Sequence, residues 1–159
     1  MKVRIYVGVD DHQPRKKERW AAYIIEAEGH EDTPIIDTRC LHATENNAVI
    51  TMMIAALDRF TRPADIEMMI DSPFVVRTAT RIERKDGRIM NDLELWQESA
   101  WRTARGTEVK NRAEWQRLYN KLRVFEQSRG TFLFQELARD DKKRERILRA
   151  IETAKEQDC

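Results

Sequence analysis

The feature that most constrains this chain is a change of period partway along it. Three runs come first: "KVRIYVGV" (2–9), "WAAYIIEAE" (20–28) and "PIIDTRCLHA" (34–43). They are rich in β-branched and aromatic residues and read as strands. A basic turn with Pro14 and a polar turn from Gly29 to Thr33 separate them. From Asn46 the period lengthens, with Val49, Ile50, Met53, Ile54, Leu57 and Phe60 recurring at helical spacing. An amphipathic helix is therefore expected, ending before Pro63. "DIEMMID" (65–71) suits a buried strand. "SPFVVRTATR" (72–81) opens a helix with Ser72 as N-cap and Pro73 at its first position.

Beyond it, Asp86-Gly87 between short branched runs predicts a small hairpin, with a helix break as the alternative. "DLELWQESAW" (92–101) and "RAEWQRLYNKLRVFEQ" (112–127) read as helices, the second amphipathic through Trp115, Leu118, Tyr119 and Leu122. "TFLFQEL" (131–137) is a fifth strand, and the run from Asp140 to Gln157 is a helix with acids at its start. Three strands, helix, strand, helices, strand, helix is the order of an α/β fold: a mixed five-stranded sheet with helices on its faces.

At 159 residues the chain is expected to form a single domain, 1–159. It is 41% hydrophobic and 36% charged, a globular composition. The first thirteen residues hold too short an apolar run for a signal peptide, and nothing later is long enough to span a membrane. Cys40 and Cys159 lie far apart, which disfavours a disulfide framework or zinc site and makes a reducing cytosol the expected compartment. The net charge of +1 argues against nucleic-acid binding by bulk charge, but the charge is uneven. Residues 101–130 carry eight Lys/Arg against three Glu, and "RKKER" (15–19) adds four bases against one acid. Such patches can neutralise phosphates; solvated loops and helix faces are the bland alternative.

Four stretches carry a family resemblance. "IYVGVDDHQPRKKERWAAYII", "TENNAVITMMIAAL", "IDSPFVV" and "WRTARGTEVKNRAEWQRL" resemble type 1 ribonuclease H across most of residues 4–122. Extra residues lie between about 82 and 97, an insertion relative to that pattern. The resemblance implies a two-metal nuclease that cuts the RNA of an RNA/DNA hybrid. Two Mg²⁺ or Mn²⁺ ions roughly 4 Å apart would flank the scissile phosphate. As hard cations they need converging carboxylates.

Carried over position by position, the pattern is broken. The acid of the first strand falls on Gly8 and that of the first helix on Ile50, whereas the acid ending the fourth strand is present as Asp71. Glu145, with Asp141 near it, is the candidate for a fourth. Asp10 shares a strand face with Gly8 and is a candidate replacement metal ligand, although it sits about 6.6 Å further along. Glu45 could turn inward. Asp10 and Asp11 otherwise read as a solvated turn, Asp71 as a helix cap, and His12, His30 and His42 as loop residues.

The same resemblance implies that Asn46 and Asn47 reach the minor groove of a hybrid. It implies that Trp101, Arg102, Arg105 and Lys110 grip the phosphates of the DNA strand. An Asn helix cap and a core Trp are the alternatives. The departures favour a ribonuclease H-like nucleic-acid-binding protein, for a hybrid or other duplex, with impaired or absent cleavage. An active metal-dependent hybrid nuclease with a rearranged carboxylate site, and a protein-interaction module on the same fold, remain open beside it.

Overall fold

The computed structural model describes residues 1–15 and 17–157; Cys159 lies outside the described residues. The first three strands form as expected: β1 (Lys2–Val9), β2 (Arg19–Ala27) and β3 (Ile35–Leu41). They pair antiparallel in sequence, and Gly8 lies opposite Ala22. β4 (Asp65–Ile70) then lies parallel to β1, and β7 (Thr131–Glu136) lies parallel to β4, giving the order β3-β2-β1-β4-β7. Both parallel connections contain helices, as a parallel crossover requires.

The period of β1 divides two cores. Val3, Ile5, Val7 and Val9 face the larger one, which holds α1 (Glu45–Leu57) and α4 (Arg112–Gln127). Tyr6, with Ala22 and Ile24 of β2, faces the smaller one, which is closed by Leu137 and by Ile147 and Ile151 of α5 (Lys142–Gln157). Helices thus cover both faces of a mixed five-stranded sheet.

Two expectations need correction. The first helix is not amphipathic: Ala48, Val49, Ile50, Met52, Met53, Ile54, Ala55, Ala56 and Leu57 are all buried. It is sandwiched between the sheet and α4, so its stability comes from packing on several sides, at ~1.5–3 kcal/mol for each large side chain buried. Its cap is Thr44, whose Oγ1 accepts from the Asn47 N–H at 3.3 Å, and not Asn46 or Asn47.

The next helix, α2 (Pro73–Ala79), is capped by Ser72 with Pro73 inside its first turn, as its sequence predicts. β5 (Ile82–Glu83) and β6 (Ile89–Met90) form the small hairpin around Asp86-Gly87, with Gly87 at φ 86°. Asn91 then closes a capping box with Glu94 at the start of α3 (Asp92–Glu98).

Candidate functional site

Asp71 follows β4, and its backbone N–H donates to the Val7 carbonyl at 2.9 Å, which fixes it beside β1. Asp71 is 7% exposed, and the side chains of His12 and Arg144 converge on one of its oxygens. His12 Nε2 lies 3.0 Å from Asp71 Oδ2, and Arg144 Nε donates to the same oxygen at 3.4 Å. The other ring nitrogen of His12, Nδ1, lies 2.6 Å from Glu45 Oε1. A neutral imidazole donates through only one nitrogen, so a further proton on the ring or on either carboxylate completes the bridge. Burial pushes the Asp71 carboxyl above the ordinary carboxylate range, and the pull of His12 and Arg144 offsets this only in part.

His12 is held there by a buried arginine. Arg19 is 1% exposed. It donates to the carbonyls of Asp11 (2.6 Å), Gln13 (3.0 Å) and Ala43 (2.9 Å). The first two flank His12, and the third lies next to the α1 cap. The bases of "RKKER" therefore do not all face outward, because Arg19 is an internal clamp.

The positions of the absent acids are filled with hydrocarbon. A Cβ added at Gly8 would lie 3.3 Å from both Cδ1 and Cγ2 of Ile147, and 3.6 Å from the Asp71 Cβ. Ile147 and Ile50 are fully buried. Asp10 does not reach this centre. It accepts from the Trp20 N–H at 3.1 Å and pairs with Lys155 at 3.0 Å near the far end of α5. With its side chain only 10% exposed, it is not a solvated turn residue either.

Glu145 is exposed, and Asp141 caps the Lys143 N–H at 2.8 Å. Two carboxylates, Glu45 and Asp71, thus share one histidine. Among the described residues no three His, Cys, Asp or Glu side chains are grouped to hold a metal ion.

Asn46 Oδ1 accepts from Ser72 Oγ at 3.2 Å, whereas its Nδ2 has no partner among the described residues. Asn47 is used internally: Nδ2 donates to Asn111 Oδ1 at 3.2 Å, and Oδ1 accepts from Thr51 Oγ1 at 3.4 Å. Trp101 is buried, packed edge-on to Tyr119 and tilted against Trp96, with Nε1 donating to Gln97 at 2.9 Å. It is a core residue. Arg102, Arg105 and Lys110 are exposed on and beside a tight loop that Thr103 and Thr107 close through a backbone bond of 2.8 Å. Arg105 and Lys110 have no ion-pair partner among the described residues.

Sequence reasoning missed His12 and Arg144. His12 lies within a family-like stretch but in its turn, Arg144 lies in none, and their shared partner Asp71 is 59 and 73 residues away.

This sheet order, with an acid leaving β4 beside β1 and the first turn of α1 facing it, defines a ribonuclease H-like α/β fold. A sequence model of the RNase H family matches residues 8–128, and the chain belongs to that family. A ribonuclease H of Rhodopseudomonas palustris strain BisB5 is 33% identical over 85 residues, 54% of this chain and 50% of that protein. The chain spans about half the length, or less, of the curated relatives it matches.

LC9-RNase H1, a type 1 RNase H with the type 2 active-site motif, superposes with a TM-score of 0.68 at 14% identity. That match covers 96% of this chain and 71% of the other. LC11-RNase H1, solved with an RNA/DNA hybrid, gives 0.61 at 12% identity, covering 96% and 98%. No helix among the described residues is long and apolar enough to cross a membrane.

Proposed function

We propose that this RNase H-family chain is a duplex-binding protein, with an RNA/DNA hybrid as its first candidate ligand, and that two-metal cleavage is impaired or absent. The observation that carries the proposal is the packing around Gly8 and Asp71. Ile147 occupies the space above Gly8, and Arg144 brings a positive charge to Asp71, with His12 bonded to the same oxygen. A donor set of two carboxylates bridged by one imidazole does not fit two hard cations, which need several oxygens each.

The exposed Arg102, Arg105 and Lys110 support binding to a backbone of phosphates. So does the hybrid-bound structure of LC11-RNase H1 on the same fold. On this reading Asn46 contacts the groove through its unpartnered amide, while Asn47 spaces the site. The chain is read as a single domain, with the β5–β6 hairpin inside an insertion at about 82–97. The compartment proposed for it is the cytosol.

One observation favours the rival reading of an active nuclease with displaced acids: Glu45 leans inward and reaches His12, so a second carboxylate does face Asp71. Incubating an end-labelled RNA/DNA hybrid with Mg²⁺ and, separately, Mn²⁺ separates the two. The expected result is no metal-stimulated cleavage. Retention of the hybrid should weaken with salt and with Arg102, Arg105 and Lys110 changed to Ala. Cleavage that disappears in Asp71→Asn would establish the rival.

A further inference from the structure

Arg144 is engaged in an unusual way. Only its Nε is used, in the 3.4 Å contact with Asp71 Oδ2, and its two terminal nitrogens make no hydrogen bond among the described residues. The side chain is 17% exposed. Neither terminal nitrogen is buried without a partner, so both reach solvent. A guanidinium anchored in this way presents its outer edge already oriented, and that planar edge matches two oxygens of a phosphate.

Further positive charge lies nearby, interleaved with the acids Asp140, Asp141 and Glu145. Lys142 and Arg146, on the same first turns of α5, have no ion-pair partner among the described residues. Asn46, bonded to Ser72, the chain neighbour of Asp71, has an amide N–H without a partner among the described residues. The contacts of Arg144 with its own chain cannot satisfy more than one of its five N–H groups.

We propose that Arg144 is a phosphate-binding residue, which grips a backbone phosphate of the bound duplex with its outer edge while Asp71 holds its inner edge. This rests on the duplex-binding reading above and deepens it. The protein's own guanidinium takes the position of positive charge beside Asp71, and the phosphate is held there without being cut. Asp71 then acts as a positioning residue for a cation of the chain.

The test is the affinity of the full chain for an RNA/DNA hybrid in excess chelator, measured over a series of salt concentrations. Arg144→Gln is expected to weaken binding about tenfold and to reduce the slope of log K against log salt by about one. Arg144→Lys keeps the charge but loses the planar edge and should fall between the two. Asp71→Asn keeps an oxygen that can accept from Arg144 Nε while removing a neighbouring negative charge, and should bind at least as tightly as the original chain. Thermal unfolding of each variant confirms that it is folded.

If Arg144→Gln and Arg144→Lys both bind within twofold of the original, Arg144 only neutralises Asp71 and the proposal is overturned, with duplex binding intact. Retention that vanishes in chelator also overturns it, because a metal would then hold the phosphate. If the original chain retains no hybrid even at low salt, the duplex-binding reading fails first and takes this one with it.

Discussion

The contact between Gly8 and Ile147 can be measured directly by a double-mutant cycle. Gly8 does not adopt the left-handed backbone region, so alanine is compatible with its conformation and the question is one of space. Replacing a strand glycine gains roughly 0.5–1 kcal/mol in backbone entropy, whereas overpacking a filled core costs roughly 1–3. With the new Cβ 3.3 Å from two Ile147 carbons, the second effect should win, leaving Gly8→Ala destabilised by about 1 kcal/mol.

Ile147→Val removes Cδ1, one of those two carbons, and should cost about 1 kcal/mol by itself. Together the two changes should cost about 1 kcal/mol instead of 2, a coupling of about 1. Gly8→Asp adds a carboxylate next to an acid that burial already disfavours in its charged form, and should cost about 3 kcal/mol or more. Urea denaturation, comparing midpoints at constant slope, measures all four variants. If Gly8→Ala and Ile147→Val add to within about 0.3 kcal/mol, the two residues are not in contact. The account of the filled site is then wrong.

Other consequences concern stability and its pH dependence. Trp101→Ala should cost about 3–5 kcal/mol as a core deletion, whereas Arg105→Ala should change thermal stability by less than about 0.5 kcal/mol and act only on the proposed duplex binding. Asn91→Ala opens the capping box of α3 and should cost about 1 kcal/mol in the same assay. Asp71 and Glu94 should respond to pH in opposite directions. Because the Asp71 carboxyl is raised, the folded chain holds its proton longer than the unfolded chain does. Stability should therefore fall as pH rises from the ordinary carboxylate range through the raised value. Glu94 is held below its ordinary range: burial opposes this shift, but Arg81 and the Asn91 N–H outweigh it. Its contribution is present above that range and is lost as pH falls through the lowered value. Urea midpoints across pH for Asp71→Asn and Glu94→Gln check each sign.

What the sequence revealed was local chemistry. Ser72-Pro73 and Asp86-Gly87 announce a helix start and a turn because neighbouring residues decide those conformations. Gly8 and Ile50 stood out only against a family pattern. What stayed hidden was any contact made across the fold by a residue whose type suggests a surface. Arg19 looks like part of a solvated basic loop yet is buried against three carbonyls. His12 has no ligand spacing, because both its partners arrive from other elements. Asp10 found its partner at the opposite end of the chain, in Lys155. The first helix looked one-sided because small residues such as Ala48 and Ala56 carry no strong periodic signal, although they are fully buried too.

The bond between Asn47 and Asn111 links the first turn of α1 to the residue that opens α4. Asn111 stands at φ 59° and makes no side-chain cap for α4, so that helix start forgoes its usual partner in favour of the cross-link. The bond acts as a strut. It fixes the gap between the α1 end of the site, with Asn46, and the α4 end, with Lys110, before any ligand arrives. On the duplex-binding reading proposed above, a stiff ligand that touches both ends meets a width this bond helps to set in advance.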